Sequence, residues 1–327
     1  MSRGYAKARA RANIALAKYW GKADAALNLP AVPSISITLD PLLTETTLEL
    51  RAELRADELW LNDAAAGQGE LRRASALLDR VRREAGSKLF ARIRSRNQFP
   101  TASGLASSAS GFAALAAAAR EALGLPFDAA QTSALARQSS ASAARSVLGG
   151  YVELPAGQPG EASLCARQLA PPAHWALCVV VAVTSEGKKA VGSTDGMTLT
   201  QESSPYYSAW LSAAPLLAAE VRAGLLARDL ARLGRAMEHS TLAMHACALA
   251  ADPGLMYFQP ATLAAFAKVR ALRSEHAVQV YATMDAGPHV KALCQASDAA
   301  AVSRELAAVP GVLRTILAGP GGGVELA

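Results

Sequence analysis

The sequence predicts a two-domain α+β fold with a cleft between its halves, and three observations carry that expectation. The first third is written in short stretches that alternate apolar and polar residues. Residues 177–183 (LCVVVAV) form an unbroken apolar run with the character of a buried strand. Beyond residue 185, long helical segments alternate with strands. Units at 1–184 and 185–327 are therefore expected, a division that suits a chain of 327 residues. With 51% hydrophobic residues but only 5% aromatic, the core has to be assembled mainly from Ala, Leu and Val.

In the first unit, SISITLD (34–40) alternates Ile with Ser and Thr, and TETTLELRAEL followed by ELWLND reads as two strands joined by a turn. LRRASALLDRVRREAG (71–86) sets Leu71, Ala74, Leu77, Leu78 and Val81 on one helical face. LFARIRSRN (89–97) alternates again and leads into FPTASGLASSASG (99–111). Alanine favours a helix from Gly104 to about Leu123, and a second helix is expected from Asp128 to Arg137. In the second unit a polar loop (184–197) precedes helices at 208–250 and 260–275 and strands at 278–284, 289–294 and 311–317. AGPGGG (318–323) reads as a loop.

Several function classes are disfavoured at once. The longest apolar runs fall short of a membrane span, and the N-terminal MSRGYAKARARANIA lacks the apolar core of a signal peptide. Cys165, Cys178, Cys247 and Cys294 are scattered without a CxxC pair, as suits reduced thiols in the cytoplasm, and no His/Cys cluster has zinc-site spacing. The net charge of +6 is spread along helices and is not interleaved with aromatics. A small anionic ligand is a better partner for it than a nucleic acid. Arginine outnumbers lysine 25 to 8, yet four of the eight lysines form two tight pairs, Lys18 with Lys22 and Lys188 with Lys189. An ammonium is a compact point charge that can follow a moving phosphoryl group, so its retention here points to a specific need, with chance clustering as the alternative.

Four segments could carry chemistry. PTASGLASSASG places a Gly/Ser turn between a strand and a helix, the context in which free N–H groups and the helix dipole hold an anion. No Walker lysine follows its last glycine, so close helix packing competes with phosphate binding. KYWGK (18–22) offers two ammonium groups around Tyr19, or else a surface strand anchored by Trp20. SSASAARS (139–146) offers serines and Arg145, a bidentate partner for carboxylate or phosphate, or else a polar helix end. TMDAGPHV (283–290) puts Asp285 at a strand end, where it could orient or deprotonate a hydroxyl or simply cap a turn. The five histidines read as structural, and no nucleophile elbow is present.

Taken together and in order, these segments resemble the mevalonate diphosphate decarboxylases of the GHMP kinase superfamily. ANIALAKYWGK resembles that family's NIA-x-x-KYWGK signature, and NQFPTASGLASSASGFAALA its phosphate loop. SSASAARSVLGGYVEL resembles its arginine-bearing segment, KKAVGSTDGM a ligand-contacting loop, and MHACALA and TMDAGPHV its C-terminal landmarks. The resemblance implies an S5-like N-terminal domain, a ferredoxin-like C-terminal domain and an active site in the cleft. It further implies ATP and Mg2+ as cofactors, mevalonate 5-diphosphate as substrate, isopentenyl diphosphate as product, and a cytoplasmic homodimer.

Residue by residue, it implies that Asp285, Lys18 and Arg145 are catalytic: Asp285 orients or deprotonates the 3-hydroxyl, Lys18 stabilises the transferring phosphate and Arg145 grips the carboxylate. Tyr19, Lys22, Ser140 and Ser193 would hold the diphosphate. Gly104, Leu105, Ala106, Ser107 and Ser108 would hold ATP, with Ser107 beside the magnesium. The chain departs from the family at Ser139 and Ala141, where glycines are usual, at Gln98 and His289, where asparagines are, and at Thr194, where many bacterial members have arginine. These departures leave room for a relative acting on mevalonate 5-phosphate or a mevalonate 3-kinase. An inactive ligand-binding paralogue would instead show an eroded site.

Overall fold

The computed structural model describes residues 4–99, 107–187 and 190–327. The chain opens with a long strand, β1 (Tyr5–Ala17), then a small ribbon of β2 (Lys22–Asp24) and β3 (Leu29–Pro30). Strand β4 (Ser34–Arg51) runs for 18 residues antiparallel to β1. Pro41, which cannot donate to a ladder, falls at the irregularity where pairing steps from Arg11↔Leu43 to Asn13↔Thr38.

The expected hairpin after β4 does not form. Strand β5 (Glu58–Leu61), which pairs with the short β6 (Ala64–Ala65), lies parallel to β7 (Phe90–Asn97), and helix α1 (Gln68–Ala85) makes the crossover between them. β7 therefore sits between β4 and β5, so a βαβ unit replaces the hairpin. Helices α2 (Ser107–Ala122), α3 (Ala129–Ser139) and α4 (Ala143–Ser146) follow, then β8 (Tyr151–Leu154) and β9 (Arg167–Ala170).

The second half comprises β10 (Leu177–Val183), α5 (Ser193–Ser203), α6 (Tyr207–Ala227), α7 (Leu230–Leu249), α8 (Pro260–Glu275), β11 (Val280–Thr283), β12 (Val290–Gln295), α9 (Ala299–Ala307), β13 (Arg314–Pro320) and β14 (Glu325–Leu326). The helical stretch expected at 208–250 is two helices. Arg228 turns left-handed (φ 55°) to end α6, and the Asp229 side chain caps α7 by accepting from the Arg232 N–H. Helix α5 begins inside the stretch read as a polar loop, taking its end from Ser193 to Met197. Ala318–Pro320, also read as loop, ends β13 and pairs with β4 through Gly319↔Asp40 and Pro320↔Leu39.

That junction makes one sheet of twelve strands among the described residues. β10 lies between β12 and β13 and is buried on both faces, which explains its unbroken apolar sequence. Cys178, Val180 and Ala182 face a core shared with α7, α8 and α9. Val179, Val181 and Val183 face another, built with β1, β4, α6 and α7. A third core packs the alanines of α2 against Ala6, Ala8 and Ala10 of β1, where small residues on both sides allow close approach.

Among the described helices, α6 is long and apolar enough to cross a membrane by composition, a segment the sequence reading overlooked. In the fold Trp210, Ala214, Leu217, Ala218, Val221 and Leu225 of α6 are buried, while Glu220 and Arg222 pair with Arg232 and Glu153. One face of α6 packs on the core, and the other is exposed at Leu216 and Leu226.

Candidate active site

β1 ends by delivering Lys18 into the interior. Its ammonium donates to the Ala15 carbonyl at 2.8 Å and to Asp285 Oδ1 at 2.7 Å, and its backbone N–H is held by Ser240 of α7. Asp285 occupies the turn between β11 and β12, with its side chain 29% exposed toward solvent while Lys18 is only 2% exposed. Burial pulls Lys18 down to about 8 against the opposing charge of Asp285. Burial works to raise the Asp285 carboxyl, but the ammonium groups of Lys18 and Lys291 outweigh it and hold the carboxyl well below its usual range.

Arg145, on α4, is buried in a socket of neutral oxygens. Its Nε donates to Ser36 Oγ at 2.9 Å, Nη1 to Ser34 Oγ at 2.6 Å and Nη2 to Asn13 Oδ1 at 3.3 Å. Asn13 is fixed in turn by donating to Ser146 Oγ and the Ser142 carbonyl. No carboxylate is hydrogen-bonded to this guanidinium among the described residues. Burial lowers it to about 10, with Asp285 and Tyr19 acting in the other direction. A buried cation is costly unless something pairs with it, so the socket is made for an incoming anion.

Tyr19 packs beside Ala141 and Ala144, and its enclosed hydroxyl has no hydrogen-bond partner among the described residues; the Ser139 hydroxyl is in the same position. Burial pushes the Tyr19 phenol up, so it stays a neutral donor. Ser140 caps α3 and lies 3.2 Å from the Ser142 hydroxyl. Neither Ser139 nor Ala141 adopts positive φ, so losing the family's glycines requires no strained backbone here. Lys22 is half-buried on β2, lowered by burial, with the charge of Asp195 in the first turn of α5 opposing; Ser193 is that helix's first residue.

Gly21, between Trp20 and Lys22, has φ 100°, and a Cβ there would overlap the Tyr207 hydroxyl. Gly21→Ala is expected to cost roughly 1–3 kcal/mol of stability and to raise KM for the anionic substrate, read by thermal melts and steady-state kinetics.

Gly104, Leu105, Ala106, Lys188 and Lys189 lie outside the described residues. Ser107 and Ser108 open α2 and border a cavity of about 210 Å³, walled by apolar Leu59, Leu61, Ile93 and Phe112 with Asn62 and Asn97 as polar edges. The helix start is pinned from below, since Ser110 shares a 2.6 Å hydrogen bond with Thr44, which donates to Asn97. Close packing and anion binding, the two readings offered for this segment, are therefore compatible: the body of α2 is packed and its first turn faces open space.

Residues 10–165 match the model of the diphosphomevalonate decarboxylase-like N-terminal domain, and residues 179–313 that of the mevalonate 5-diphosphate decarboxylase C-terminal domain. A diphosphomevalonate decarboxylase of Candida albicans is 35% identical over 303 residues, covering 87% of this chain and 82% of its own. The chain belongs to the diphosphomevalonate decarboxylase family. The solved mevalonate diphosphate decarboxylase of Staphylococcus aureus superposes with TM-score 0.93 at 37% identity, over 99% of this chain and 98% of that one. A structure of MDDEF in complex with MVAPP, AMPPCP and magnesium gives 0.92 at 38% identity over the same shares.

As a diphosphomevalonate decarboxylase family member, the chain has functional candidates that the sequence did not single out. Asn13, Ser34 and Ser36 form the Arg145 socket, and Lys291 is the second cation on Asp285. The alternation of SISIT held the one available signal: its polar face is fully buried rather than wet, and Ser34 and Ser36 on it meet a guanidinium. Among the described residues no cluster of three or more His, Cys, Asp or Glu could hold a metal. The hydroxyl of Ser107 at a helix start fits a magnesium held chiefly by nucleotide phosphates.

His245, on α7, is buried against Tyr257 and Phe258, and burial, reinforced by the charge of Lys18, lowers it to about 3. The unfolded chain binds this proton near pH 6.5, so stability present above that pH is lost as pH falls toward 3, by up to about 1.4 kcal/mol per pH unit. Scanning calorimetry from pH 7 to 4.5 should show His245→Leu losing stability less steeply than the parent. Parallel curves would mean that His245 does not set the acid limit.

Proposed function

We propose that this protein catalyses the ATP-dependent decarboxylation of mevalonate 5-diphosphate to isopentenyl diphosphate, releasing ADP, phosphate and carbon dioxide. The observation that carries the reading is Arg145, a buried guanidinium seated on three neutral acceptors, close enough to Asp285 to feel its charge. A substrate carboxylate placed against Arg145 brings the hydroxyl-bearing carbon, one methylene further along the substrate, toward Asp285. The carboxylate of Asp285 orients the hydroxyl and takes its proton as the oxygen attacks the γ-phosphorus and the bond to the ADP oxygen breaks, while Lys18 stabilises charge developing on the transferred group.

The substrate's own C–O bond to the newly attached phosphate then breaks, phosphate leaves with that electron pair, and the electrons of the C–CO2 bond form the alkene. Arg145 holds the carboxylate until it leaves as neutral carbon dioxide. Tyr19, Lys22, Ser140 and Ser193 take the diphosphate, supported by the enclosed, unpartnered Tyr19 hydroxyl. Gly104, Leu105, Ala106, Ser107 and Ser108 take the ATP phosphates, and the nucleobase enters the apolar cavity beside α2. Ser107 would hold magnesium at this helix start, where the ion would supply positive charge against the phosphates.

A cytoplasmic homodimer belongs to the same proposal, supported by family membership and by four free cysteines, three of them buried. We also retain a two-unit division near 184/185; the pairing of β10 with β12 and β13 favours moving it ahead of Leu177.

The test offers mevalonate, its 5-phosphate and its 5-diphosphate separately with Mg-ATP, following ADP and carbon dioxide together. Equal release of both products with the diphosphate alone is expected. The same result with the monophosphate would reassign the substrate, ADP without carbon dioxide would make the protein a 3-kinase, and silence with all three would leave a binding protein.

A further inference from the structure

β12 carries a single charge among apolar neighbours. Val290, Ala292, Leu293 and Cys294 are buried, and so is Lys291, whose side chain is 0% exposed. An apolar residue there would satisfy packing, since burying an ammonium costs several kcal/mol before its partners repay it. Lys291 sits opposite Thr283 on β11, which directs its Nζ to Asp285 Oδ2 at 3.2 Å. Lys18 takes Oδ1 of the same carboxylate. Each oxygen of Asp285 thus has its own ammonium, one from each side.

Two consequences follow from this geometry. The carboxylate cannot rotate without breaking a charge-assisted hydrogen bond, so its remaining lone pairs keep a fixed direction. The trio also carries a net charge of one positive unit. A simple Lys18–Asp285 pair would be neutral and would present far less potential to an anionic phosphoryl group.

We propose, resting on the decarboxylase reading above, that Lys291 is a positioning residue of the reaction: it locks the Asp285 carboxylate and leaves the buried trio a surplus positive charge, which Lys18 presents to the transferred phosphoryl group. Among the described residues, Arg145 from α4 and His245 from α7 are the other titratable or charged groups that interact with Asp285. Removing Lys291 takes away one of the two cations that keep Asp285 ionised, so the pH at which Asp285 protonates rises.

The test compares the parent with Lys291→Met and with Lys291→Gln, which keeps N–H donors but drops the charge. Expected for both is a 10- to 100-fold fall in kcat on mevalonate 5-diphosphate. Affinities for AMPPCP and for the diphosphate, measured by titration calorimetry, should stay within about threefold. A kcat within threefold of the parent, or loss of both affinities alongside kcat, would each overturn the proposal. Failure of both variants to fold would do so too, by making Lys291 structural. A parent silent on mevalonate 5-diphosphate would sink the decarboxylase reading and this role with it, whereas an active parent beside unaffected variants removes Lys291 alone.

Discussion

Asp285→Asn lowers turnover on mevalonate 5-diphosphate by about two to four orders of magnitude, while AMPPCP affinity changes by no more than a few-fold. The amide keeps the shape of the side chain but loses the anionic acceptor that the substrate hydroxyl needs. It also leaves Lys18 and Lys291 facing each other across an uncharged group, 2% and 0% exposed. Removing one partner of a buried ion pair costs about 3–5 kcal/mol, and the partial exposure of Asp285 puts the expected loss at the lower end. Single-turnover ADP release and a thermal melt of the ligand-free variant measure the two effects separately. Turnover near that of the parent would remove Asp285 from the chemistry.

Arg145→Lys is expected to be nearly as damaging, although it preserves the charge. The guanidinium fork reaches Ser36, Ser34 and Asn13 in three directions at once, and a single ammonium cannot. The variant strands buried hydroxyls and shifts the cation away from the position a substrate carboxylate would meet. We expect kcat/KM to fall roughly 100- to 1000-fold, corresponding to the loss of a buried charge-assisted pair, with AMPPCP binding unaffected. Steady-state kinetics decide the matter: kcat/KM within threefold of the parent would free Arg145 from the substrate.

The parts of this site legible in sequence are those whose chemistry is local. Asp285 beside Gly-Pro, Lys18 and Lys22 around an aromatic pair, and a Gly/Ser turn entering a helix announce themselves within a dozen residues. The Arg145 socket does not. Its acceptors lie more than 100 residues upstream, on strands whose buried polar face looks like an ordinary solvent-facing one until the tertiary fold is known. Lys291 was hidden for the opposite reason, as a lone lysine in an apolar strand that looks exposed by residue type alone.

Fold legibility follows the same rule. The two-sided burial of β10 was written in its own seven residues. The parallel placement of β5 beside β7 depended on which strand took the β4 edge, and no local pattern encodes that choice.

Just past α4, Gly149 turns with φ 71°, and a Cβ there would overlap the backbone of Gly322 and Gly323. Gly149 bridges to Gly322, and the Val324 N–H is held by the Val147 carbonyl. The chain leaving Arg145 is thus braced by residues that leave the ribosome some 170 positions later. A nascent first half can build its strands and alanine helix early, but this brace stays missing until residues 321–324 emerge. Maturation of the site is consequently a late event in synthesis, and residues 1–184 expressed alone would make a poor surrogate for studying it.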